Sequence, residues 1–346
     1  MSGIASGRAR TSAPTLHDVA RAAGVSLATA SRVLNGSTRN VAESYRERVE
    51  AAAAELGYTA NLSAQATARG TSEIIALLVA DIADPYFAQI AAGVARGADE
   101  AGLVMTIAVT ERDPEREARL VRALRGQQPR GLILAASRTS ESMHPSIRTD
   151  VDALAAAGAR TVALGRGADR LRSVLIDNAR GARDLGRALG TYGYRRAIVL
   201  AAGEGILTSD DRSAGFAEGF ADAGGVVLKV YRGGFTRESG ASLMTQALTD
   251  GIQPGTLVFA ISDLVAIGAM SAVRDAGRDV GSDIAVCGFD DIPAGRDVTP
   301  ALTTVSVPLD QVGYSALRAA VDEEWDAAAS PLALSVLLRG STPLLP

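Results

Sequence analysis

The stretch Thr15–Gly36, TLHDVARAAGVSLATASRVLNG, constrains this chain most, because it sets two helix starts around one glycine turn. Thr15 can cap a first helix with Asp18 reaching back to it, and Leu16, Val19, Ala20 and Ala23 follow at i, i+3, i+4, i+7 spacing. Gly24 supplies the turn and Ser26 a second cap. On the second helix Ala30, Val33 and Leu34 point inward, while Leu27, Ala28, Thr29, Ser31 and Arg32 line an outer part that no core requires. This is the layout of a helix-turn-helix, whose second helix enters the DNA major groove. A helical hairpin inside an ordinary core has the same periodicity, so periodicity by itself leaves both readings open.

Glu43 to Leu56 reads as a third, bracing helix, with Val49, Ala52, Ala53 and Leu56 on one face and Gly57 at its end; Ala42 offers it no side-chain cap. The organisation expected is a disordered tail over residues 1–14, a helical headpiece over 15–59, a small, polar hinge over 60–72, and a body over 73–346. Net charge divides along the same lines. Eight arginines against five acidic residues leave residues 1–70 at +3, so the rest of the chain carries −7 of the overall −4. A basic end on an acidic body fits phosphate contact confined to the headpiece.

From Ile74 onward apolar runs alternate with helical patterns: IIALLVA, VMTIAV, GLILAA and TVALG, then AIVLAA, VVLKVY, TLVFAI and IAVCGF. Strands alternating with helices imply parallel sheets of βαβ units. Two consecutive sets suggest two α/β lobes around a cleft, where ligands lie beyond the carboxyl ends of the strands; one continuous Rossmann-type sheet is the alternative.

The wording DVAxxAGVSxxTxSRVLNG resembles the N-terminal motif of the LacI/GalR family of bacterial transcriptional regulators. ADIADPYFAQIAAGV, the pair Asp177-Asn178, RSAGF and VCGFDDIPAGRDVTPALTTVSVP resemble that family's regulatory domain. The likeness covers about Thr15 to Thr342. It implies a headpiece joined by a hinge to a periplasmic-binding-protein-like (type I) α/β domain for effector binding and dimerisation. One lobe would comprise about 73–176 and 307–333, the other about 177–306 and 334–346. It also implies a homodimeric repressor on a near-palindromic double-stranded operator, controlled by a small sugar-like effector.

Arg32 is the best candidate for reading a base, since a guanidinium can grip O6 and N7 of guanine together; the alternative is a phosphate contact. Leu27 and Ala28 fall where the family varies to choose its operator, and both can touch only thymine methyls. Ser26, Thr29, Ser31, Asn35 and Tyr58 suit phosphates. The resemblance adds Asn61, Ala64 and Thr67 of the hinge. Two departures stand out there: Ala60 replaces the usual proline, and Thr67 replaces the leucine that wedges into the minor groove, which weakens the expected kink.

Candidate effector residues fall at expected strand ends or in the loops that follow: Asp84, Tyr86, Phe87, Ser137, Arg166, Arg212, Phe235, Ser262 and Asp290. Arg212 and Asp290 are the strongest polar pair, with a structural salt bridge as the alternative. Tyr86 or Phe87 could stack on a ring, and Asp263 is expected to cap a helix. His17, His144 and Cys287 form no metal or nucleophile constellation, and GEG and GRG lack phosphate-loop spacing, so neither enzyme activity nor a cofactor is expected. The N-terminus has no apolar segment behind its arginines and no run could span a bilayer, which points to the cytoplasm. The ending RGSTPLLP adds no apolar heptad, which points to a dimer rather than a tetramer. A cytoplasmic solute-binding protein with a degenerate headpiece is the competing reading.

Overall fold

Thr15 and Asp18 close a reciprocal capping box: the Thr15 N–H donates to the Asp18 carboxylate at 3.0 Å, and Thr15 Oγ1 accepts from the Asp18 N–H at 3.4 Å. Helix α1 (Leu16–Ala23) starts there and stops at Gly24, whose φ of 63° only glycine adopts cheaply. Helix α2 (Leu27–Leu34) starts at Ser26, which accepts the Thr29 N–H at 3.1 Å. Helix α3 (Glu43–Leu56) has Ala42 at its cap position and no side-chain cap bond.

The computed structural model describes residues 14–34, 41–59, 72–136, 145–165, 171–327 and 332–345, in two units, Met1–Arg69 and Gly70–Pro346. In the first unit Val19, Ala20, Ala23, Ala30, Val33, Val49, Ala52 and Ala53 are buried together. Leu56 departs from the sequence reading. It is 37% exposed, because α3 ends immediately after it at Gly57 and Tyr58 packs against the core instead.

The second unit holds two separate parallel sheets, so the single continuous sheet is excluded. The first contains β1 (Ile74–Val79), β2 (Val104–Val109), β3 (Gly131–Leu134), β4 (Arg160–Leu164) and β5 (Arg172–Val174), in the order β2-β1-β3-β4-β5. Helices α4 (Pro85–Glu100), α5 (Pro114–Arg125) and α6 (Pro145–Ala156) connect its first four strands. The second contains β6 (Arg196–Ala202), β7 (Val226–Gly233), β8 (Thr256–Ala260) and β9 (Ile284–Cys287), in the order β7-β6-β8-β9. Helix α7 (Asn178–Thr191) leads into it, and α8 (Leu207–Asp222), α9 (Arg237–Thr249) and α10 (Asp263–Asp275) connect its strands. Central strands such as β3 and β8 are buried along their whole length, as sheets covered on both faces require.

After β9 the chain forms a short α11 (Ala294–Asp297) and then β10 (Thr304–Ser306), which pairs antiparallel with β11 (Ser335–Leu337). Between these two strands α12 (Leu309–Val321) returns to the first lobe and packs on α4. Contact there is close enough that a Cβ on Gly93 would sit 1.9 Å from the Asp310 carbonyl oxygen. The last residues return to the second lobe, where the Leu345 N–H donates to Tyr192 O at 2.9 Å and Tyr194 Oη to Pro343 O at 2.8 Å. The crossings bring the carboxyl ends of both sheets to bear on one cleft.

Candidate functional site

On the headpiece, α2 presents what a groove reader needs. Leu27, Ala28 and Arg32 are exposed, and Thr29 and Ser31 are partly so. Ser26 and Thr29 share a hydrogen bond of 2.8 Å between hydroxyls, which orients both at the helix start. Arg32 makes no ion pair among the described residues. Asn35, Asn61, Ala64 and Thr67 lie outside the described residues, as do Ser137 and Arg166 of the effector set. One exposed pair went unread in the sequence: Arg48 lies 5.0 Å over the Tyr45 ring on α3, a cation–π contact that the i, i+3 spacing could have signalled.

In the body, the strand ends of the second lobe carry the most constrained side chain. Arg212, on α8, is 2% exposed. Its Nε donates to Asn178 Oδ1 at 2.8 Å and its Nη1 to Ile261 O at 2.7 Å, its Nη2 lies 2.8 Å from Asp290 Oδ1, and its guanidinium stacks 3.9 Å from the Phe289 ring centroid. The Asp290 contact is an ion pair that leaves Oδ1 without a well-aligned hydrogen bond. Burial pushes the Asp290 carboxyl up to about 6, against the pull of Arg212.

The structure reassigns three sequence expectations around this pair. Asp263 does not cap α10: Ser262 does, its Oγ accepting the Val265 N–H at 3.5 Å, so Ser262 is tied to the helix start. Asp263 instead straps the loop after β9, accepting from the Ile292 N–H at 2.9 Å and the Thr304 hydroxyl at 2.6 Å. Its burial, and the nearby charge of Asp290, push its carboxyl well above the usual range. Phe87 belongs to the core at 4% exposure, because the start of α4 turns it inward, edge-on to Tyr86 at 5.0 Å. Tyr86, partly exposed, is then the aromatic available on that side.

Asp84 caps α4 by accepting the Tyr86 N–H at 2.9 Å, and burial raises its carboxyl above the ordinary value. Opposite it in the fold, Phe235 follows β7 and lies under Arg112, whose guanidinium is 5.2 Å from the ring centroid. Arg112 follows β2 in the first lobe, so this contact joins the two lobes across the cleft. Nothing local in the sequence signals it. Glu111 and Arg112 both have left-handed φ, 56° and 59°, as do Asp290 and Asp291 at 114° and 57°. Such strain costs about 1–3 kcal/mol per residue and persists only where the surroundings enforce it. Four of the five such non-glycine residues among the described ones fall here, on the two sides of one cleft; the fifth, Gln128, lies in the turn after α5. The assembled groups are two buried carboxylates, the partly exposed Tyr86 and a guanidinium from each lobe, with Phe235 buried beneath Arg112, a set suited to a ligand with hydroxyl donors and a ring face. Among the described residues no cluster of His, Cys, Asp and Glu could hold a metal, and Cys287 is fully buried.

Residues 15–61 match the family described as bacterial regulatory proteins, lacI family, and residues 72–324 match periplasmic binding proteins and the sugar binding domain of the LacI family. Among curated proteins, the transcriptional regulator CelR of Thermobifida fusca is 32% identical over 89% of this chain and 91% of its own. The transcriptional repressor CytR of Escherichia coli is 31% identical over 96% and 98%. Among solved structures, the Lac repressor dimer bound to operator and the anti-inducer ONPF superposes with a TM-score of 0.80 at 28% identity, covering 96% of this chain and 100% of that one. The CelR–cellobiose complex superposes with a TM-score of 0.66 at 30% identity, covering 95% and 99%. With its helix-turn-helix and its two-lobed body both matched along nearly their whole length, this chain belongs to the LacI family of bacterial regulatory proteins.

Proposed function

We propose that this transcriptional regulator represses by binding a near-palindromic operator as a homodimer in the cytoplasm, and that a small sugar-like effector between the lobes sets its operator affinity. The headpiece is residues 15–59, with Arg32 reading a base and Leu27 and Ala28 meeting thymine methyls. Asp84, Tyr86, Arg112, Arg212, Phe235 and Asp290 line the effector cleft. The observation that carries the reading is the meeting of the buried Arg212–Asp290 pair of one lobe with Asp84 and Tyr86 of the other, which sets charged and hydrogen-bonding groups from both lobes against one another. The neighbours support it: one solved relative is a complex with cellobiose and another is bound to operator.

Control by effector requires unequal binding to two arrangements of the protein. The Arg112–Phe235 contact between lobes is one that a ligand in the cleft would have to keep or replace. Fluorescence anisotropy of an operator duplex, titrated with the protein while cellobiose, monosaccharides and nucleosides are added in turn, tests the scheme. A shift in operator affinity with one class, absent in Asp290→Asn, is expected. A response that Asp290→Asn retains in full would move the effector site elsewhere.

A further inference from the structure

Asp290 and Asp291 are consecutive and both left-handed, yet their carboxylates point to different partners. Asp290 meets Arg212, while Asp291 is gripped from behind. Arg339 Nη2 donates to Asp291 Oδ1 at 2.6 Å, Arg296 Nη2 donates to Oδ2 at 2.9 Å, and Ser306 Oγ donates to Oδ2 at 3.2 Å. Arg339 is itself anchored twice more: its Nη1 donates to Leu302 O at 2.9 Å and its backbone N–H to Thr303 Oγ1 at 2.8 Å. The Arg339 side chain is 17% exposed, against 65% for Arg296, so the first bond is sheltered and the second is screened by water. Burial opposes charge on Asp291, but the bonds from Arg339 and Arg296 outweigh it and hold its carboxyl below the ordinary value.

We propose that Arg339 is a positioning residue for the effector cleft: by fixing Asp291 it enforces the left-handed turn that delivers the Asp290 carboxylate to Arg212. The functional weight of this rests on the reading that Asp290 faces the effector. A turn of two non-glycine residues at positive φ has to be held by its surroundings, and the arrangement supplies a reason for an arginine forty-eight residues away to be held from three sides.

The test needs no effector. Asp290 can be followed by carbon NMR of protein labelled at aspartate carboxyls, with Asp290→Asn assigning the signal. Arg212 on α8, Asp84 and Tyr86 at the start of α4, and Asp263 on α10 face this carboxyl and stay unchanged in the variants. In the parent chain Asp290 should titrate near 6. In Arg339→Ala and Asp291→Asn the turn relaxes toward water, and the midpoint should fall by about one pH unit or more toward the ordinary carboxylate value. Arg339→Lys, which keeps one donor, should recover part of the shift, and Arg296→Ala should move it little. An unchanged Asp290 midpoint in folded Arg339→Ala overturns the proposal; if that variant does not fold, an unchanged midpoint in both Arg339→Lys and Asp291→Asn does so. The effector reading fails separately, through an Asp290→Asn protein whose operator affinity still responds fully to a cleft ligand.

Discussion

Arg32 and Arg212 carry the same guanidinium and are held in opposite ways. Arg32 stands on the outer face of α2 without an internal ion pair among the described residues, on a helix whose start is fixed by Ser26 and Thr29. Arg212 is sealed in the second lobe with a side-chain amide, a backbone carbonyl, a carboxylate and an aromatic face around it. Under the proposed function Arg32 is the group that meets DNA, and its exposure leaves the partner to supply the acceptors. A group that must shape a small cleft is oriented beforehand, so that a ligand with few contacts need not also order the site.

If that contrast is right, the buried arginine should matter far more to folding. Arg212→Ala leaves Asp290 buried without its cation, and is expected to cost about 3–5 kcal/mol in urea unfolding, toward the low end where Asp290 can take up a proton. Raising the pH should expose the same strain from the other side, because the ionised form of buried Asp290 is the costly one. The folded pKa of Asp290, about 6, lies above its ordinary 3.8, so the folded state holds a proton that the unfolded state has released in the window between. Its contribution is therefore present below about pH 4 and lost as pH rises through 6, a change of about 2–3 kcal/mol that the urea midpoints of Asp290→Asn should lack relative to the parent chain. Asp291 has the opposite sign: its depressed carboxyl stabilises above the ordinary value and that support is lost on acidification.

Arg32→Ala should reverse the pattern. Unfolding should stay within about 0.5 kcal/mol of the parent, while discrimination between operator and mutated half-sites falls by about 1–3 kcal/mol in competition binding. The smallest effect belongs to the uncapped start of α3. Ala42→Ser supplies the missing acceptor and should raise the headpiece unfolding transition by about 1 kcal/mol, with no change at the cleft.

The headpiece was legible because its signals are local: a capping box within the four residues from Thr15 to Asp18, a glycine turn and a narrow apolar face. The eight longer strands were legible because their apolar runs are short and bounded. The three-residue strands β5, β10 and β11 were not, since so short a segment has no period to detect and pairs only through the crossings. Of the effector candidates the sequence singled out, the fold brings Arg212, Asp290, Tyr86 and Asp84 near one another and sets Phe235, buried, beneath Arg112, while Phe87 belongs to the core, Ser262 caps a helix, and Ser137 and Arg166 lie outside the described residues. It missed Arg112 over Phe235, and the clasp of Arg339 on Asp291, because each depends on residues distant in the chain meeting across a fold. Asp263 was misassigned for a related reason: standing first in a helix, it looks like a cap until the long-range strap to Ile292 and Thr304 is seen.

The most direct test of the division between the two arginines is selection of bound sequences from random duplex DNA by the full-length protein, with Arg32→Ala and Asp290→Asn carried in parallel. The parent and Asp290→Asn should enrich the same near-palindrome, and Arg32→Ala should lose preference at symmetric positions in both half-sites. Recovery of the parent sequence by Arg32→Ala, or a changed sequence with Asp290→Asn, would contradict the assignment of base reading to the exposed arginine and effector sensing to the buried pair.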